Sequence, residues 1–142
     1  MLDASYLNDL NRVLASLADR IELPLAERLT YFRAETGTGP IFPDERRGFA
    51  RRQFRSRAVL DLQQTLPAIQ RERAFHCIYT HDISRTGLCF LHADELYPGE
   101  KCRLWLPHQP IDAIVVRCRR RADRCYVIGA RFEDGLSETG AA

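Results

Sequence analysis

Between residues 58 and 132 the apolar residues fall into six short runs, each too short for an ordinary helix. The runs are 58–62, 75–79, 88–91, 102–106, 111–118 and 125–132, and they are rich in β-branched and aromatic residues. Turn signals divide them, among them Pro98-Gly99, Pro107-His-Gln-Pro110 and Arg121-Ala-Asp123. A chain of this kind has few ways to fold. An open sheet of short strands leaves two unpaired edges, whereas a sheet closed on itself leaves none. The pattern predicts a mainly β fold, a small six-stranded antiparallel barrel.

The first 36 residues follow a different period. Leu7, Leu10, Leu14, Leu17 and Ile21 alternate spacings of three and four, with Tyr6 and Val13 widening the stripe, so a helix is expected there. Asp3 or Ser5 can cap its start. Pro24 disfavours helical geometry at Leu23 and ends or kinks it. A second short helix can begin at Pro24, carry Leu25, Leu29 and Phe32, and stop at Gly37. The organisation expected is a helical extension over 1–36, a linker over 37–44, a barrel domain over 45–134 and a flexible tail over 135–142. The helical stripe must be covered, either by the barrel's flank or by another subunit. The balance of charge favours self-association through these helices.

Charge is divided unevenly. Residues 1–44 carry seven acids and four arginines, whereas residues 45–142 carry seventeen bases and twelve acids. The basic part therefore suits an anionic ligand. All the basic residues but Lys101 are arginine, the residue that grips phosphate or guanine with a planar fork. The five cysteines show no CxxC spacing and fall within the apolar runs. They read as core residues of a reduced, cytoplasmic protein rather than a disulfide framework or zinc site. The chain starts acidic and amphipathic, unlike a signal peptide, and no apolar run approaches the roughly 20 residues that span a bilayer.

Two motifs carry the chemistry. Arg46-Arg47-Gly-Phe-Ala-Arg51 places three guanidiniums just after a Pro-Asp turn, and Gly48 argues for a flexible arm rather than a helix. Such an arm can order around an anion, donating to guanine O6 and N7 or to phosphate. Arg52, Arg55 and Arg57 continue the charge and read as an exposed strand face. Asp82-Ile-Ser84-Arg-Thr-Gly87 follows at a strand exit. Asp82 can accept from a guanine N1–H and N2–H₂ edge, Ser84 can bond phosphate or base, and Gly87 can let the backbone approach the ring. The same three residues can also make only a turn, with Gly87 at positive φ.

In this order the two motifs resemble the PilZ domain, a bacterial receptor module for cyclic di-GMP whose motifs read RxxxR and (D/N)xSxxG. Leu96-Tyr-Pro-Gly-Glu100 and Val127-Ile-Gly-Ala-Arg-Phe132 are also similar to that family. The resemblance implies a PilZ-type barrel and a non-catalytic receptor. It places Arg46, Arg47, Arg51, Asp82, Ser84 and Gly87 against cyclic di-GMP, with no cofactor. A signal then passes to a protein partner. It further implies that Arg46, just before RxxxR, influences whether one ligand or an intercalated pair binds. The competing reading is a small barrel that binds nucleic acid through its arginines, or a PilZ-like adaptor that needs no ligand.

Catalysis is not expected, since GxSxG, HExxH and GxxxxGK[ST] are all missing from the sequence. His81-Asp82 resembles a metal dyad, but alternation puts His76 and His81 on opposite strand faces, so no metal site is expected. The histidines read as surface residues, and Trp105 as part of the barrel wall.

Overall fold

The computed structural model describes residues 4–27, 31, 41–42, 51–69, 71 and 74–133, with the backbone alone at 4, 41, 42, 51 and 52. The elements are helix α1 (Ala4–Ser16) and strands β1 (Ile41–Phe42), β2 (Arg51–Gln53), β3 (Arg57–Gln64), β4 (Phe75–Ile83), β5 (Gly87–His92), β6 (Lys101–Trp105), β7 (Pro110–Ala122) and β8 (Cys125–Phe132). Strands β3 to β8 are the six expected runs, shifted or lengthened by a few residues at their ends. They pair antiparallel in the order β4-β3-β6-β7-β8-β5, and β5 pairs back onto β4. The barrel is closed.

Alternation along each strand sorts the side chains. Leu60, Ile78, Phe90, Leu104, Val115 and Ile128, one from each barrel strand, fill the interior and are at most 1% exposed. Each such burial stabilises by about 1.5–3 kcal/mol. The neighbours that point outward are also covered. Val59, Tyr79, Leu91 and Cys125 form a second apolar cluster outside the barrel, roofed by Leu10 and Leu14 of α1 and by Ile21 and Tyr31. Trp105 packs at the edge of that cluster, in the barrel wall as expected.

Most of the helical stripe is thus covered by the chain's own barrel, while Leu7 stays exposed. The hydroxyl of Tyr6 donates to the Leu106 carbonyl at 2.8 Å, fixing the start of α1. The helix ends earlier than its apolar period suggests. Ser16 Oγ donates back to the Val13 carbonyl and Leu17 N–H bonds the Leu14 carbonyl, closing the last turn. Ile21 stays buried at 1% exposure although it lies outside the helix. Beyond α1 the chain crosses the barrel, where Glu22 N–H bonds the Arg124 carbonyl and the Arg20 guanidinium bonds Asp94. Residues 25–27 are again helical. Four of the five cysteines are buried, one is half-buried, and all are free thiols. No helix among the described residues is long and apolar enough to cross a membrane.

Two further strands lie outside the closed ring. Ile41 and Phe42, within the expected linker, form β1, which pairs with β2. Strand β2 in turn pairs with the last residues of β4, Arg52 opposite Ile83 and Gln53 opposite Asp82. It continues the edge along which β3 pairs, across a kink. There Phe54 N–H bonds the His81 carbonyl, Thr80 N–H donates to the Ser56 carbonyl, and Thr80 Oγ1 donates to the Phe54 carbonyl at 2.6 Å.

Candidate ligand-binding groove

The register of β4 decides where Asp82 points. Thr80 faces Phe90 across the β4–β5 ladder, but the next pair is Asp82 with Cys89, so His81 is an extra residue on β4. A bulge of this kind shifts alternation by one. Without it Asp82 would follow Ile78 and Thr80 into the barrel. With it, Ile83 enters the core and Asp82 turns to the outer face beside Cys89. Asp82 is 6% exposed, and its carboxylate lies 2.9 Å from His81 Nδ1.

The turn after β4 is closed by backbone. Ser84 N–H bonds the Gly87 carbonyl at 2.8 Å, and Ser84 Oγ accepts from Thr86 N–H at a long 3.3 Å. Gly87 has no positive φ, so the bare turn reading is not the reason for a glycine here. A Cβ on Gly87 would stand 2.2 Å from the Ala130 carbonyl oxygen. The glycine is required by the close approach of β8, whatever it also offers a ligand.

Asp82, Ser84 and Gly87 share a cleft of about 170 Å³ with Arg117, Gly129 and Arg131. A larger cavity of about 560 Å³ adjoins it, sharing Asp82, Cys89 and Arg117, and is lined further by Glu27, Arg55, His81 and Arg121. That volume suits a nucleotide-sized molecule. A third cavity, about 250 Å³ between α1 and the barrel, is walled by Leu10, Val13, Val59, Phe75 and Trp105 and offers an anion little.

Of the sequence-identified residues, Asp82, Ser84 and Gly87 come together at one rim. Arg51 takes part through its backbone: β2 sets it opposite Phe42 and one residue beyond the Arg52–Ile83 pair, alongside the exit of β4. The arginine arm therefore ends as strand, because the β4 edge continues past the kink. Arg46 and Arg47 lie outside the described residues, as does most of the expected linker and tail.

Several groove residues escaped sequence reasoning. Arg55, read as exposed strand face, lines the larger cavity, its guanidinium 5.9 Å from the Tyr31 ring centroid. Arg117 lies across Gly129, where a Cβ would be 3.0 Å from its Cγ and Nε. A glycine in mid-strand, as at Gly129, is the sequence signal for such an approach. Glu27 was invisible because it belongs to the extension. Its two carboxylate oxygens accept from Arg121 Nη1 and Nη2 at 2.7 and 2.5 Å. That fork holds the Glu27 carboxyl below its usual range, with Arg55 and His81 assisting, and raises Arg121 in return.

A family model of the PilZ domain matches residues 45–141. The chain belongs to the PilZ domain family. No curated protein and no solved structure matches it. The PilZ match spans both sequence motifs and every barrel strand, and the closed six-stranded ring is the PilZ-type barrel expected. PilZ domains form a family of cyclic di-GMP receptors. In this PilZ chain the extension adds Glu27 to one wall of the groove, and Tyr31 lies behind Arg55.

Proposed function

We propose that this PilZ protein is a non-catalytic bacterial receptor for cyclic di-GMP, acting in the cytoplasm. The dinucleotide lies in the groove above β5 and β8, with Asp82 on a guanine N1–H edge and Ser84 on phosphate or base. Arg46, Arg47 and Arg51 close over it from the β2 side. The observation that carries this reading is the β2–β4 ladder, which brings the end of the arginine motif to the rim occupied by Asp82, Ser84 and Gly87. The neighbouring guanidiniums of Arg55, Arg117 and Arg121 supply an electropositive wall for two phosphates. Ordering of the arm against the barrel makes a new surface for a protein partner. Calorimetric titration with cyclic di-GMP, and with cyclic di-AMP as control, tests it. Saturable binding of the guanine ligand alone supports the reading, and equal or no binding of both sinks it.

The second reading, a nucleic-acid binder, draws on the arginines of β7, where Arg117, Arg119, Arg120 and Arg121 follow closely. Phosphate tracking needs no carboxylate at Asp82, and its affinity falls steeply with salt irrespective of base. A buried Asp82 lining both cavities favours the guanine reader.

A further inference from the structure

A second constellation sits at the opposite end of β4, far along the strand from the Asp82 turn. There β4 begins and β5 ends, side by side. The rings of His76 and His92 meet edge to face, centroids 5.2 Å apart. Asp94, just past β5, brings Oδ2 to 3.8 Å from His92 Nε2. One nitrogen of each imidazole and one Asp94 oxygen all lie within 4.8 Å of one another. The reading of these histidines as surface residues does not hold for His92, which is 1% exposed. Neither of its ring nitrogens has a hydrogen-bond partner among the described residues. An unsatisfied buried polar group is destabilising, so a side chain left this way calls for an occupant.

We propose that His76, His92 and Asp94 form a binding site for a divalent first-row transition-metal ion, best matched by zinc. Two imidazoles and a carboxylate are zinc's donors, whereas calcium and magnesium want oxygen alone. Three protein ligands leave a fourth position for water. Zinc bonds of about 2.0–2.1 Å require the donors to close inward by roughly 1 Å. Half-buried His76 and Asp94, which is 38% exposed, have the freedom to do so, and they open the site to solvent. Asp94 also accepts from Arg20 at 2.6 Å. A carboxylate has lone pairs for both, and the Arg20 contact orients it as an outer partner orients a metal ligand. The ion ties β4 to the loop after β5 and, through Arg20, to the segment that follows α1. Its role is structural. Strict alternation along β4 separated His76 from His81 correctly, but it overlooked that the partner of His76 comes from the next strand.

His81, Asp82 and Cys89 form another potential ligand set, but Asp82 belongs to the groove already described, and that set serves as the internal control. The test is titration of the EDTA-dialysed full chain with Co²⁺, followed by visible absorption, with thermal melts in Zn²⁺. Expected are one ion per protomer, ligand-field bands without a thiolate charge-transfer band, and at least tenfold weaker binding in His76→Ala and Asp94→Asn. Zinc raises the melting temperature of the wild type and leaves that of His76→Ala unchanged. His76 is half-exposed, and a melt without metal verifies that its variant folds. The proposal is overturned if stoichiometric Co²⁺ produces no bands. It is equally overturned if binding survives His76→Ala but is lost, with a thiolate band, in Cys89→Ser.

Discussion

A carboxylate, a hydroxyl and a glycine contribute to the groove for different physical reasons, and substitutions separate them. In the proposed complex, Asp82→Asn preserves size but exchanges an acceptor for a donor facing the guanine N–H groups. Calorimetry should register a loss of about 1.5–3 kcal/mol, the range for a bond to a charged group. Ser84→Ala should lose less, because a neutral hydroxyl makes the weaker class of hydrogen bond. Equal, negligible losses at both positions would leave the motif as a turn. Arg51→Ala is expected to cost about 1–3 kcal/mol of binding, the worth of a bidentate contact to guanine. Gly87→Ala differs in kind. Its methyl meets the Ala130 carbonyl, so the effect belongs to the fold: about 1–3 kcal/mol of stability, seen as a lower melting temperature with no ligand present.

At the scale of elements, the extension and the barrel act on each other through packing and through one ion pair. Leu14 is 5% exposed beneath the barrel's outer cluster, so Leu14→Ala should destabilise by about 2–5 kcal/mol in a denaturant titration. Because most of this stripe is buried within one chain, light scattering of the full chain at micromolar concentration should report a monomer. A dimer that persists in a 38–142 truncation would place self-association on the barrel instead. Glu27 competes with any anion for Arg121. Glu27→Gln should therefore tighten cyclic di-GMP binding by up to about fivefold, since a part-exposed pair is worth up to about 1 kcal/mol. Raising the salt should shrink that gain. An unchanged affinity would mean that the ligand does not reach Arg121.

For the molecule as a whole, Glu100 couples folding to pH. Its carboxylate is fully buried and accepts from Arg71 Nε at 2.6 Å, Thr65 Oγ1 at 2.6 Å and Tyr97 N–H at 2.7 Å. Burial pushes its pKa up, but the three donors together outweigh burial and leave it below the usual carboxylate value. A depressed folded pKa contributes stability that is present above the unfolded value of 4.5 and is lost as pH falls through the folded one. Melting temperature should accordingly fall as pH drops below 4.5, and Glu100→Gln should flatten that acid limb. Removing the side chain altogether deprives Arg71 of its carboxylate partner, and Glu100→Ala should cost about 3–5 kcal/mol.

The barrel was legible in sequence because period-2 alternation and turn chemistry are local, and closure is the one arrangement that leaves short strands no edges. The motif residues of the groove were legible as types at a spacing. What sequence did not contain was the relation between strands. One extra residue at His81 decides that Asp82 faces the groove and Ile83 the core, and only pairing with β5 shows it. Arg55, Arg117 and Glu27 enter the same groove from three separate parts of the chain, and His92 reaches His76 across a ladder. The destination of the helical stripe was open for the same reason. An apolar face states that it must be covered, while the shape and charge of whatever lies opposite decide by what. Local pattern therefore determined the six barrel strands and which residue types the two motifs carry. Register, closure and the docking of the extension, all set by contacts distant in sequence, decided which of those residues meet.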